Sequence, residues 1–291
     1  MSESRHNPDQ LLKEIQADEE NRNKGHLKIF FGYAAGVGKT YAMLEAAHME
    51  KQQGIDVVAG YVETHARPKT AALLNGLEVL PTREVFYNGM ILDEFDIGMA
   101  LKRKPQLILV DELAHTNAEG CRHAKRYQDI KELLNAGIDV YTTVNVQHIE
   151  SLCDTVASIT EIVVRERIPD SIFDNADQVE LIDIEPQDLI NRLNTGNVYR
   201  QTQEKQAVEN FYTIENLTAL REISLRRCAD RVNILTENTR IKNHGDYHTG
   251  EHILVCLSSS PSNAKIIRTA AKMASAFKGE FTALFVETPD F

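Results

Sequence analysis

From Lys28 onward, short apolar runs alternate with stretches of helical periodicity. KIFFGY (28–33) has almost no polar interruption, the pattern of a strand covered on both faces. A glycine-rich turn follows, then TYAMLEAAHMEKQQ (40–53), a predicted helix stopped by Gly54 in the position after the C-cap. IDVVAGYV (55–62) predicts a second strand. In LKRKPQLILVDE (101–112) four apolar residues run into two acids, a third strand. AKRYQDIKELLNA (124–136) predicts a helix stopped by Gly137, and IDVYTTVNV (138–146) the next strand. Both helices end in Gly-Ile-Asp-Val and lead straight into a strand, as repeated βα units do. EIVVRER (161–167) and VELIDI (179–184) are predicted as further strands. The expected fold is α/β, a mainly parallel sheet with helices on both faces.

After Pro186 the pattern changes. DLINRLNTGNVY and the long stretch 204–241 are helical, with apolar residues at Phe211, Ile214, Leu217, Leu220, Leu225 and Val232 marking one face. HILVCLSSS, NAKIIRTAAKMASAFKG and EFTALFVE then predict strand, helix and strand. The expected organisation is a polar tail at 1–24, a sheet domain at 25–185, a helical extension at 186–240, a linker at 241–250, and a second α/β unit at 251–291. A single βαβ unit leaves apolar surface uncovered, so this last piece reads as the truncated start of a domain.

Composition narrows the partners. The 291 residues carry a formal net charge of -11, which argues against a nucleic-acid partner. The compact basic run Arg122, Lys125, Arg126 has a solvated loop or helix face as its ordinary reading. Cys121, Cys153, Cys228 and Cys256 form no C-x-x-C pair, as in a reducing compartment. No stretch approaches the ~18 apolar residues of a membrane span, so the segment is expected to be cytoplasmic and to make no membrane contact of its own.

The chemistry begins with GYAAGVGKT (32–40), set between a predicted strand and a predicted helix. Small residues at Gly36, Val37 and Gly38 let backbone N–H groups wrap a polyphosphate, and the helix N-terminus adds partial positive charge. Lys39 is placed to reach β and γ phosphates, and the Thr40 hydroxyl to ligate magnesium. The usual phosphate-loop pattern has glycine where this chain has Tyr33, with Gly32 one residue early, so a wider or differently bent loop entry is expected. Asp111, at the carboxyl end of a predicted strand, is the second magnesium candidate, and Glu112 is the candidate to polarise an attacking water. The expected ligands are therefore ATP and Mg2+. Glu63, Thr64, Arg67, His115, Thr116, Asn117, Gln147 and His148 also leave predicted strand ends. Singly each is as readily a loop or capping residue. As a set they aim at one sheet edge and are candidate γ-phosphate sensors or switches. The histidines have no helical metal-ligand spacing.

GYAAGVGKT, GYVETHARP, LVDELAHTN, RHAKRYQDIKELL, GIDVYTTVNVQHIESL and ALREISLRR resemble the N-terminal cytoplasmic region of the KdpD family of osmosensitive potassium-sensor histidine kinases. The resemblance runs from about Gly25 to the end of the chain. It implies a P-loop NTPase-like domain followed by the start of a universal-stress-protein-like domain. It implies an ATP-binding input region acting on the remainder of a membrane-anchored histidine kinase and, through it, on a response regulator; family members are expected to dimerise at full length. The phosphoacceptor histidine and kinase catalytic domain of such kinases are not in this chain. The resemblance also implies cyclic di-AMP as a ligand of the complete C-terminal domain, through Ser258, Ser260, Phe281, Thr282, Ala283 and Phe285, where Phe285 replaces the tyrosine of that motif. The alternative is a phosphate-loop ATPase or kinase acting in its own right, through Lys39, Asp111 and Glu112.

Overall fold

A computed structural model describes residues 24–64, 67–87, 89–194, 211–243, 252–257, 263–276 and 280–285. The chain divides into two compact units, 1–228 and 229–291. In the first, six strands form one sheet. They are β1 (Leu27–Gly32), β2 (Val57–Tyr61), β3 (Glu78–Val79), β6 (Leu107–Val110), β7 (Asp139–Asn145) and β8 (Gln178–Leu181), in the order β3-β2-β6-β7-β1-β8 with every pairing parallel. The intervening β4 (Arg83–Tyr87) and β5 (Met90–Glu94) make a separate antiparallel hairpin.

The uninterrupted apolar runs follow from this two-sided cover. Along β1 successive side chains enter different cores. Ile29 and Phe31 join Phe173, Ile130 and Leu133 on one face, while Phe30 joins Met43, Leu44 and Ala47 on the other. β6 divides likewise, Ile108 and Val110 to the first core and Leu107 and Leu109 to the second. Helix α1 (Lys39–Gln52) covers the second face. Helices α3 (Ile97–Arg103) and α4 (Arg126–Asn135) cover the first. So do Leu189 of α7 (Pro186–Asn194) and Leu217 and Leu220 of α8 (Ile214–Asn243). At roughly 25 cal/mol per Å2, such continuous apolar burial is the main stabilising term.

Several expectations need correcting. EIVVRER is not a strand: residues 162–167 have no regular structure, and only an isolated bridge joins Ile168 to Ile149. Valine and isoleucine suit a strand, but Glu161 ends α5 (Cys153–Thr160) with a left-handed φ of 60°, and the segment that follows pairs with none of the sheet strands. The basic run is not a uniformly solvated face either, because Arg126 is fully buried. The hairpin β4–β5 and the short helices α2 (Pro68–Ala72) and α6 (Asp170–Asp174) lay outside the sequence reading.

In the second unit, β9 (His252–Leu257) and β10 (Glu280–Phe285) pair in parallel, with α9 (Asn263–Ala276) between them in sequence. Val255, Ala270 and Ala274 are buried there. Among the described residues no helix is long and apolar enough to cross a membrane.

Gly32 shows how tightly the end of β1 is packed: a Cβ there would lie 2.7 Å from Val37 Cγ2 and 3.2 Å from Lys39 Cδ. Gly32→Ala is expected to destabilise the fold by about 1–3 kcal/mol through overpacking, read by urea unfolding. An unchanged midpoint would mean that the loop does not fold back over this position.

Candidate functional site

The turn after β1 brings the loop 33–38 to the carboxyl edge of the sheet, and α1 starts at Lys39. Gly36 and Gly38 have φ of 93° and 112°, a left-handed backbone costly to residues with a side chain. Tyr33 follows β1 directly, at the entry to the loop. Its ring is buried, and its hydroxyl donates to the Ile184 carbonyl at 3.1 Å, anchoring the loop from beneath. Burial pushes the Tyr33 phenol up to about 12.

In the sheet order β7 stands between β1 and β6, with Gly32 paired to Asn145 at the end of their ladder. Asp111 therefore reaches the loop across the end of β7. Its carboxylate is buried and accepts hydrogen bonds from the Thr40 hydroxyl at 3.0 Å, from the Thr143 hydroxyl, and from the Glu112 N–H at 3.1 Å. Burial pushes the Asp111 carboxyl up, and the Thr143 and Thr40 donors and the charge of Lys39 act against that. Lys39 donates to the Ala34 carbonyl at 3.0 Å. Burial lowers its ammonium to about 8, partly offset by Asp111. Glu112 follows in a left-handed conformation, φ 60°. Only oxygen donors converge at Thr40 and Asp111, the chemistry a hard divalent cation selects. The Asn145 side-chain oxygen Oδ1 and Arg67 Nε, both on cleft residues, are buried without a hydrogen-bond partner, as expected where a polar ligand belongs.

The sequence-predicted residues divide by position. Gly36, Gly38, Lys39, Thr40, Asp111 and Glu112 line one cleft, joined by Arg67, His115 and His148. His148 Nδ1 donates to the Glu166 backbone carbonyl, 2.9 Å away, and burial lowers its imidazole pKa, favouring the neutral ring. Val37 is buried beneath the loop. Glu63, Thr64, Thr116, Asn117 and Gln147 do not line the cleft. Asn117 is buried as a connector, with its amide donating to Asp129 at 2.6 Å. Thr116 lies on the surface, its N–H donating to Glu166 at 2.8 Å. Ser258 and Ser260 lie outside the described residues. Phe281 and Phe285 are 38% and 53% exposed, and Thr282 and Ala283 share their strand.

Sequence reasoning missed Thr143, Glu166 and Arg192. Thr143 is a buried threonine in the middle of β7, a polarity that signals a partner. Glu166 hid inside the mistaken strand. Arg192 reaches back from α7, its guanidinium 3.5 Å from the Val37 carbonyl, and Tyr212 similarly donates to the Ala35 carbonyl at 3.4 Å.

Behind the cleft, Arg126 joins the site to the hairpin. Its guanidinium donates to Glu94 at 3.0 Å, to the Asp111 carbonyl at 3.2 Å and to the Asn117 side chain at 3.2 Å, and it lies 4.4 Å from the Tyr61 ring centroid. Burial works to raise the Glu94 carboxyl, but His115, the Ala118 N–H and Arg126 outweigh it and hold the group below its ordinary value. Arg126→Met would strand the Glu94 charge and should cost about 3–5 kcal/mol of stability by denaturant unfolding. Adding Glu94→Leu should recover much of that loss. A single variant costing under about 1 kcal/mol would show that the network contributes little.

The family profile of the osmosensitive K+ channel His kinase sensor domain matches residues 23–232. The chain is 57% identical over 287 residues to the sensor protein KdpD of Clostridium acetobutylicum, and 51% identical over 290 residues to that of Escherichia coli. Each alignment covers 98% of this chain and 32% of the relative, so the chain spans about a third of the length of these two proteins. It is 47% identical over 263 residues to the putative sensor protein KdpD of a Synechocystis strain, covering 90% of this chain and 70% of that protein.

Proposed function

The chain belongs to the KdpD family of osmosensitive K+ channel histidine kinase sensor domains, and from that premise we propose that it is the ATP-binding input region of a potassium-responsive sensor histidine kinase. The observation that carries the nucleotide reading is the meeting of Lys39, Thr40 and Asp111 at one sheet edge, beneath a loop whose two glycines adopt left-handed backbone. In this reading the loop N–H groups and Lys39 hold the phosphates. Thr40 and Asp111 hold Mg2+, which when bound neutralises charge on the β and γ oxygens. Occupancy of the loop biases the attached kinase, which acts on a response regulator. For the second unit the reading extends to cyclic di-AMP, with the exposed Phe281 and Phe285 as stacking rings.

Lys39→Ala removes the cation that faces the phosphates, so ATP affinity by calorimetry is expected to fall at least about tenfold with the fold intact. Unchanged affinity would sink the site. Mg-ATP at about one hundred times its dissociation constant should stabilise the parent by about 2.7 kcal/mol, and Asp111→Asn much less.

A second reading, an ATPase or kinase in its own right, rests on Glu112, held beside Asp111 in a backbone that side-chained residues seldom adopt. For an input module, turnover is expected below ~1 s⁻¹. Faster magnesium-dependent hydrolysis that Glu112→Gln abolishes would favour the enzyme.

A further inference from the structure

Glu94 ties the hairpin β4–β5 to the network behind the cleft, but the hairpin's outer face belongs to none of it. In the antiparallel register Val85 stands opposite Leu92, Phe86 opposite Ile91 and Glu84 opposite Asp93. Side chains alternate across a strand, so Val85 and Leu92 share the inner face, while Glu84, Phe86, Ile91 and Asp93 share the outer one. Val85 is buried, whereas Phe86 and Ile91 are 76% and 65% exposed. Glu84 and Asp93 are exposed as well. We propose that this outer face docks a separate protein, through a segment that sets lysine or arginine beside apolar side chains.

Both pairs on this face leave something unsatisfied. Phe86 and Ile91 support each other across the ladder, but most of each side chain stays in water, and covering them is favourable. Glu84 and Asp93 repel, since like charges directly opposite one another weaken a ribbon. A cation set between them would remove the repulsion and bond to both carboxylates. A two-stranded hairpin is marginal by itself, and this one is held from its inner side. There Val85 is buried, Glu94 accepts from Arg126 at 3.0 Å, and the adjoining Phe95 packs in the first core. The outer face is therefore presented in one conformation, which lowers the ordering cost of docking.

Charge selects the occupant. The one base of the hairpin, Arg83, stands opposite Glu94 on the inner face, so the outer face is acidic and apolar only. Its two acids disfavour an anionic lipid surface. A second copy would bring the same acids against a chain of net charge -11. Residues 1–23 carry six acidic residues against three basic, so they do not supply the cations either. A basic amphipathic helix answers both halves of the face. Its apolar side chains cover Phe86 and Ile91, and its cations meet Glu84 and Asp93.

The test uses the whole chain and fluorescence anisotropy with a labelled amphipathic peptide of lysine and leucine, beside a glutamate and leucine peptide of the same length. The basic peptide is expected to bind at least about tenfold tighter than the acidic one. Phe86→Ser with Ile91→Ser, and separately Glu84→Gln with Asp93→Asn, should each weaken it at least about fivefold. The acid-pair variant should melt no lower than the parent, because it removes a repulsion. Glu150→Gln with Asp154→Asn removes the same charge from exposed positions elsewhere and should leave binding within about twofold. Equal weakening by that control would show attraction to net charge alone and overturn the proposal. So would undiminished binding in both hairpin variants, or no binding by the parent. Parent binding to phosphatidylglycerol vesicles that Phe86→Ser with Ile91→Ser abolishes would make the face a lipid contact instead. A dimer in sedimentation that the same variant dissociates would make it a self-interface, and either result overturns the assignment.

Discussion

The buried carboxylate of Asp111 is the point at which sheet and loop meet. It takes hydrogen bonds from Thr40 at the head of α1, from Thr143 on β7 and from the next backbone N–H, so three segments distant in sequence end on one group. In a low-dielectric cleft such a group is costly unless its oxygens are occupied, which makes the surrounding donors interdependent. Lys39 completes the balance: burial pulls its ammonium down while Asp111 holds it up. The parallel sheet is the precondition, because only parallel strands deliver all their carboxyl ends, and the loops that follow them, to one edge.

Two further layers hold this centre. On one side Arg126 binds the Asp111 carbonyl, Glu94 and Asn117 at once, so that α4, the hairpin and the loop after β6 share one buried guanidinium. On the other side the segments after β8 grip the glycine loop 33–38 itself. Tyr33 reaches Ile184, Arg192 approaches the Val37 carbonyl, and Tyr212, just ahead of α8, donates to Ala35. A change in loop backbone thus alters contacts made directly by the helical region.

Much of the sheet domain was legible because burial on both faces leaves a strong mark. β1, β2 and β6 are largely apolar runs, and the helices that lead into β2 and β7 are followed by Gly54 and Gly137. The hairpin was not legible in that way, because its exposed Phe86, Met90 and Ile91 blur alternation; the Asn-Gly pair at 88–89 was the available signal. EIVVRER failed for the opposite reason: local strand preference was real, but a strand needs a partner along its length, and only Ile168 beside it bridges, to Ile149.

The sequence by itself determined the units whose cause is local: apolar period, glycines that permit left-handed backbone, and the juxtaposed Lys39 and Thr40. Only the tertiary structure decided which polar residues meet. Thr143 and Arg192 carry no motif, yet they stand at the cleft and its rim. Asn117 and Arg126 sit in polar segments, yet they are buried connectors behind it. The reason is that strand order and helix packing set long-range distance, and no short-range pattern encodes it. Tyr33 shows the same limit at a single residue: which way its ring turns depends on a core built partly by residues far along the chain.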